Sequence, residues 1–232
     1  MIGIIMAMEE EISSFLKNKN IIEKKKIYEL TFYIVKYLNL KLIIVESGVG
    51  KVNASRTTQI LIDNFNIKYI FNIGVCGGLK DNVNVLDIIV ANKLIQYDFD
   101  ISIFNHKKGY IPKIGDYIEI DNKLRELIKN VSKKIHINVK EGIIISGDRF
   151  ITDINERRLL GNTWDAIGVE MEGASIAQVS KLCNIPCIII RSVSDSIKNN
   201  NVLDYDNFLN KSCYNISLFL DEILKEIVLI NV

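Results

Sequence analysis

The chain has 232 residues, 48% of them hydrophobic, which is ample for one large core. Its 29 Lys and Arg against 28 Asp and Glu leave a net charge of +1, without the basic stripe of a phosphate-backbone binder. The densest basic run, Lys24-Lys25-Lys26, reads as a solvated turn. No apolar run approaches the ~20 residues of a membrane helix, so neither nucleic acid nor membrane is an expected partner.

In chain order, Ile2–Met6 reads as a buried strand and Met8–Leu16 as the helix behind it. Thr31–Tyr37 and Leu42–Val45 read as strands, joined as a hairpin through Leu38-Asn39-Leu40-Lys41. Val52–Phe65 has helical spacing, with Ala54, Thr57, Ile60, Leu61 and Phe65 on one face. Tyr69–Ile73 and Asp87–Ala91 read as strands, Leu124–Val131 as a helix and Gly142–Ile145 as a strand. Ala174–Leu182 is a predicted helix and Cys187–Val193 a strand. From Tyr205 to Val228, a stripe of Phe208, Leu209, Ser212, Ile216, Leu220, Ile223 and Ile227 marks an amphipathic C-terminal helix. Ile- and Val-rich strands that are apolar on both faces and separated by helices indicate an α/β fold, with a central mixed β-sheet flanked by helices. There is no internal repeat, low-complexity tract or linker, so residues 1–232 read as a single domain.

Nothing at the N-terminus resembles a secretory signal, because Glu9-Glu10-Glu11 follow the first apolar run at once. Cys76, Cys183, Cys187 and Cys213 sit in apolar contexts and read as free thiols of a reducing compartment, which implies a cytoplasmic protein. The cysteine spacing does not suit zinc, and His106 and His136 lie far apart, so no metal site is expected.

Three segments could carry chemistry, and each follows a predicted strand, where α/β folds build their sites. Glu9-Glu10-Glu11 begins a helix, and carboxylates favour that end of the helix dipole whether or not they have another task. In Val169-Glu170-Met171-Glu172-Gly173-Ala174, two acids stand at a strand-to-helix corner among apolar flanks, where one could cap the helix. In Ile188-Ile189-Ile190-Arg191-Ser192-Val193-Ser194-Asp195, an apolar strand runs into an arginine and an acid. These two could form a plain ion pair, or the acid could hold and deliver a proton. Ser47-Gly48-Val49-Gly50-Lys51 and Asn72–Leu79 add glycine-containing turns; the first lacks the spacing of a phosphate loop.

Together these stretches resemble the nucleoside phosphorylase/nucleosidase superfamily, and within it the bacterial 5′-methylthioadenosine/S-adenosylhomocysteine nucleosidases. The resemblance is carried in order by Ile2–Glu11, Ser47–Ala54, Asn72–Leu79, Ser146–Ile151, Val169–Val179 and Arg191–Asp195. It implies hydrolysis of the N-glycosidic bond of 5′-methylthioadenosine and S-adenosylhomocysteine, with 5′-deoxyadenosine as a further substrate. The products would be adenine and the 5-substituted ribose, as in methionine salvage and methyl-cycle recycling, with no cofactor. It assigns Asp195 as the acid that protonates adenine N7 and Glu11 as the base that activates water. Glu172 would bind the ribose hydroxyls, with Met171 below the sugar and Met8 lining the site. Phe150 would stack on adenine, the Ile151 backbone would meet its edge, and Arg191 would stand near the water and ribose. Ile101, Phe104 and Pro112 would cover the 5′ substituent of a neighbouring subunit, which implies a homodimer.

These roles fit the reaction. Breaking the bond to ribose leaves charge on adenine, so the acid must arrive protonated, which an apolar setting favours. The sequence departs from the family at Val75, where a small hydroxyl residue is common. Purine nucleoside phosphorylase of the same fold and a futalosine-type nucleosidase are the alternatives, and Glu11 favours water over phosphate. A binding or storage protein on this fold would be expected to lose one or more of the acids, and all three are present.

Overall fold

In the computed structural model, residues 1–198 and 201–229 are described, with side chains omitted for 201–204. The elements are β1 (Ile2–Met6), α1 (Glu9–Leu16), β2 (Asn20–Ile27), β3 (Leu30–Tyr37), β4 (Leu40–Glu46), α2 (Lys51–Asn64), β5 (Tyr69–Gly78) and β6 (Ile88–Gln96). They continue with β7 (Ile118–Glu119), α3 (Asn122–Lys134), β8 (Val139–Ser146), α4 (Ile154–Thr163), β9 (Ala166–Glu170), α5 (Gly173–Leu182), β10 (Cys187–Asp195) and α6 (Asn201–Leu229). The expected α/β fold with a mixed sheet is present.

The sheet runs β10-β6-β8-β9-β5-β1-β4-β3-β2, and β10 also pairs with β5. Five strands, β5, β10, β6, β8 and β9, therefore close on themselves, while β1, β4, β3 and β2 extend the sheet beyond β5. Strands β1, β4, β5 and β10 are mutually parallel, with Ile4 opposite Ile44 and Phe71, and Ile188 opposite Phe71. Each of these strands is buried on both faces, which is why their Ile and Val runs do not alternate with polar residues. Gly3 lets α2 lie directly on β1: a Cβ there would stand 2.7 Å from Leu61 Cδ2. The C-terminal helix buries Ser212, Ile216, Leu220, Ile223 and Ile227 of the expected stripe. Among the described residues no helix is long and apolar enough to cross a membrane.

One expectation is corrected. Lys24-Lys25-Lys26 is not a turn but the middle of β2, paired with Tyr33, Phe32 and Thr31 of β3. The strand lies at the open end of the sheet, where a row of lysines discourages pairing with another chain. Between Gly142–Ile145 and Ala174–Leu182, where the apolar spacing assigns no element, the chain forms α4. Asp153 caps α4 there, accepting the Glu156 N–H at 2.7 Å.

Candidate active site

The ends of β1, β5, β9 and β10, with the turns after β4 and β8, surround a cleft of about 360 Å³. Its lining includes Met8, Glu11, Phe150, Met171, Glu172 and Asp195. Six of the predicted site residues are thus brought together from four separate stretches of chain.

Glu11 turns inward from the first turn of α1 and is 2% exposed, while Glu9 and Glu10 remain in solvent. Its Oε2 accepts the N–H groups of Ala7 at 2.8 Å and Met8 at 3.1 Å, and its Oε1 accepts the Val75 N–H at 2.9 Å. The capping and cleft-lining roles of this acid therefore coincide. Val75 has no side-chain hydroxyl, yet its backbone N–H still addresses Glu11. Gly74 makes the approach possible, since a Cβ there would collide with Glu11 Oε1. Burial raises the Glu11 pKa, against the Arg191 charge and the three N–H donors.

The two acids after β9 diverge. Glu170 does the capping: its Oε2 accepts the N–H groups of Glu172 at 3.1 Å and Gly173 at 2.7 Å at the start of α5. Glu172 faces the cleft instead, and its Oε1 accepts the Gly50 N–H at 2.8 Å. Gly50 holds φ at +98°, a conformation that favours glycine, at the entry to α2. Burial pushes the Glu172 carboxyl up to about 8, helped by the neighbouring Glu170 charge and opposed by the Gly50 N–H and Arg191.

Arg191 and Asp195 do not pair with each other. Arg191 is buried beneath the cleft, where it donates to Glu170 Oε2 at 2.6 Å, to the Asn72 carbonyl at 3.1 Å and to Asn72 Oδ1. Its charge reaches Glu11 and Glu172 through space rather than by contact. The apolar setting expected around Asp195 is only partial. Asp195 is 1% exposed, but its Oδ1 accepts the Ser194 hydroxyl at 2.7 Å and its Oδ2 forms an ion pair with the equally buried Arg157 of α4.

The remaining predicted residues lie outside the lining. Ile151 is buried behind it, with its carbonyl accepting Arg157 Nε at 2.7 Å. Ile101 is half-buried, while Phe104 and Pro112 are exposed; none of the three lines this chain's cleft. A single 3-10 turn, Ser102–Phe104, interrupts that long loop and leaves Ile103 85% and Phe104 71% exposed.

Arg157 and Tyr205 are not among the residues that the sequence marks for the site. Tyr205 lines the cleft from α6, packs edge-on against Phe150 at 5.2 Å between ring centroids, and donates its hydroxyl to Met8 Sδ at 3.4 Å. The spacing Asp153-Ile154-Asn155-Glu156 was a legible helix start that would have placed Arg157 in the first turns of a helix.

The sequence model of the phosphorylase superfamily matches residues 1–225. An aminodeoxyfutalosine nucleosidase of Helicobacter pylori is 35% identical over 227 residues, covering 97% of this chain and 99% of that protein. A 5′-methylthioadenosine/S-adenosylhomocysteine nucleosidase of Staphylococcus haemolyticus is 32% identical over 226 residues, again covering 97% and 99%. Among solved structures, the H. pylori futalosine hydrolase superposes with a TM-score of 0.93 at 35% identity, over 97% of both chains. The S-adenosylhomocysteine nucleosidase of Streptococcus pyogenes, in complex with 5-methylthiotubericidin, gives 0.92 at 30% identity, over 97% of this chain and 96% of that one.

Proposed function

The chain belongs to the phosphorylase superfamily, and from that premise we propose that it hydrolyses the N-glycosidic bond of 5′-methylthioadenosine and S-adenosylhomocysteine. One observation carries the choice of water over phosphate. The cleft is lined by carboxylates, Glu11, Glu172 and Asp195 among them, and its described lining holds no lysine or arginine to neutralise a phosphate. The two buried cations behind it are already committed, Arg191 to Glu170 and Asn72 and Arg157 to Asp195.

The reaction runs across this cleft. The bond between C1′ of ribose and N9 of adenine breaks, and its electron pair leaves with the base. Asp195 delivers a proton to N7, so adenine departs neutral. Water attacks C1′ and gives a proton to Glu11, which burial makes a stronger base than an exposed glutamate. Glu172 accepts from the ribose hydroxyls beside the developing positive charge, and its Gly50 contact fixes where that acceptor stands. Phe150 stacks on adenine, and Met171 and Met8 pack against the sugar side. Arg191 acts from below, as a fixed positive charge under the acids.

The Ile101–Pro112 segment serves the neighbouring subunit of a homodimer, covering its 5′ substituent with Ile101, Phe104 and Pro112. The exposure of Phe104 and Pro112, and the absence of all three from their own cleft, support this arrangement. The four free cysteines fit a cytoplasmic enzyme of methionine salvage.

The direct test is adenine release from 5′-methylthioadenosine in phosphate-free buffer, with turnover expected and no gain on adding phosphate. Strict dependence on phosphate would refute hydrolysis. Asp195→Asn should retain nucleoside binding by calorimetry and lose about 10²- to 10⁴-fold in turnover. A futalosine-type nucleoside is the second substrate class to assay, because relatives at 35% identity carry that activity in their names.

A further inference from the structure

Behind the cleft, α4 contributes a charged side chain that the opening does not expose. Arg157 is 1% exposed. Its guanidinium forms the ion pair with Asp195 Oδ2, and its Nε donates to the Ile151 carbonyl at 2.7 Å. Two glycines make room for it. A Cβ on Gly77 of β5 would stand 2.8 Å from Arg157 Nη1, and a Cβ on Gly161 of α4 would stand 2.6 Å from the Leu79 carbonyl oxygen. The helix therefore lies against the end of β5 closely enough for the guanidinium to reach the acid.

Stability alone is a poor reason for this arginine. A buried ion pair gains little net energy, because desolvation offsets the attraction and an apolar side chain of similar volume serves as well. Nη1 also finds no hydrogen-bond partner among the described residues, which adds to the cost of burial. What the arginine supplies is direction. Oδ1 of Asp195 accepts the Ser194 hydroxyl, while Oδ2 has no hydrogen bond among the described residues and is approached by the guanidinium as an ion pair, so the arginine sets which way that oxygen turns. The same guanidinium is tied to the backbone directly after Phe150, the ring at the base end of the cleft.

We propose that Arg157 is a positioning residue for the acid, aligning the Asp195 carboxyl with the nucleobase by bridging it to the Ile151 backbone. This rests on the nucleosidase reading of the cleft. Arg157 does not line the opening, so it touches no substrate and acts only through Asp195. Proton transfer depends steeply on alignment, and a displacement of about 1 Å costs on the order of 10²-fold.

The test compares kcat and KM for 5′-methylthioadenosine in Arg157→Met, Arg157→Lys, Asp195→Asn and the Arg157→Met/Asp195→Asn double variant, each confirmed folded by circular dichroism. Arg157→Met is expected to lose about 10- to 100-fold in kcat while KM stays within about 3-fold. Lysine restores the charge but not the two-point bridge, so it should recover only part of the loss. In the Asp195→Asn background, Arg157→Met should cost less than about 2-fold, because the two side chains act as one unit. A folded Arg157→Met enzyme with wild-type kcat, or an equal loss in both backgrounds, would overturn the proposal. Should Arg157→Met not fold, a lysine variant with undiminished kcat would overturn it just as well. A wild-type enzyme that releases no adenine defeats the nucleosidase reading itself and is distinct from these outcomes.

Discussion

Glu172→Gln is the substitution that most directly separates what the cleft costs from what it does. The wild-type carboxyl is buried beside Glu170, its pKa is pushed up to about 8, and its Oε1 takes the Gly50 N–H. Glutamine keeps that acceptor and removes the titrating charge. In the unfolded chain a glutamate ionises near pH 4.3. Between that pH and about 8, the folded protein holds a proton that the unfolded chain has released. The contribution to stability is therefore fully present below the unfolded value and is lost as pH rises through the folded one. At about 1.4 kcal/mol per unit the upper bound is about 5 kcal/mol, and the effective dielectric of a water-accessible cleft reduces it to on the order of 2 kcal/mol. Glu172→Gln should thus match the wild type near pH 5 and exceed it by about 4–8 °C in Tm near pH 8.5, for a chain of this size. Thermal unfolding followed at 222 nm in buffers from pH 5 to 9 measures the difference directly. A gap that stays constant with pH, or that favours the wild type as pH rises, would refute the reasoning. If Glu172 binds the ribose hydroxyls as proposed, activity should move the other way, with kcat/KM falling about 100-fold in the glutamine variant above pH 8, where the wild-type carboxyl is ionised.

Gly74→Ala should displace the Glu11 carboxylate, since the new methyl meets Oε1. Adenine release is expected to drop at least about 100-fold, and a variant within about 3-fold of wild type in a steady-state assay would show that the proposed base is not held by this contact. Phe104→Asp should convert a species of twice the 26.4 kDa chain mass into one of chain mass by light scattering, with KM rising as the 5′ cover is lost. A dimer that survives the substitution with unchanged KM would place the subunit contact elsewhere.

Much of the site was legible because its residues end strands whose apolar runs are conspicuous. Ile2–Met6 and Cys187–Val193 point straight at Glu11 and Asp195. The pairing of charges was not legible. Arg191 and Asp195 are near neighbours in the chain, and a local ion pair was one reading of them. In the structure each takes a partner from another element, Glu170 from the end of β9 and Arg157 from α4. Register along the chain does not encode which buried cation faces which acid; the order of strands decides it. The Glu170/Glu172 corner was ambiguous for a different reason. Either acid could have capped α5, and only the Gly50 N–H arriving from another turn leaves Glu172 for the cleft. The edge strand β2 was hidden because an exposed strand needs no apolar alternation, and its Glu-Lys-Lys-Lys run carries none.

The closed ring of β5, β10, β6, β8 and β9 bears on how the protein acquires its activity. Glu11 comes from the first strand's exit and Asp195 from the last strand's end, and β10 reaches its place by pairing with β5, far back in the chain. Such long-range pairings bring a loop-closure penalty before any contact is gained, so they form late and together. During synthesis Glu11 is made early and waits through most of translation for Asp195, the acid proposed to act with it. A nascent or truncated chain that ends before β10 holds Glu11 and Glu172 but not Asp195, and if Asp195 is the proton donor as proposed, partial products of this gene should be silent rather than weakly active.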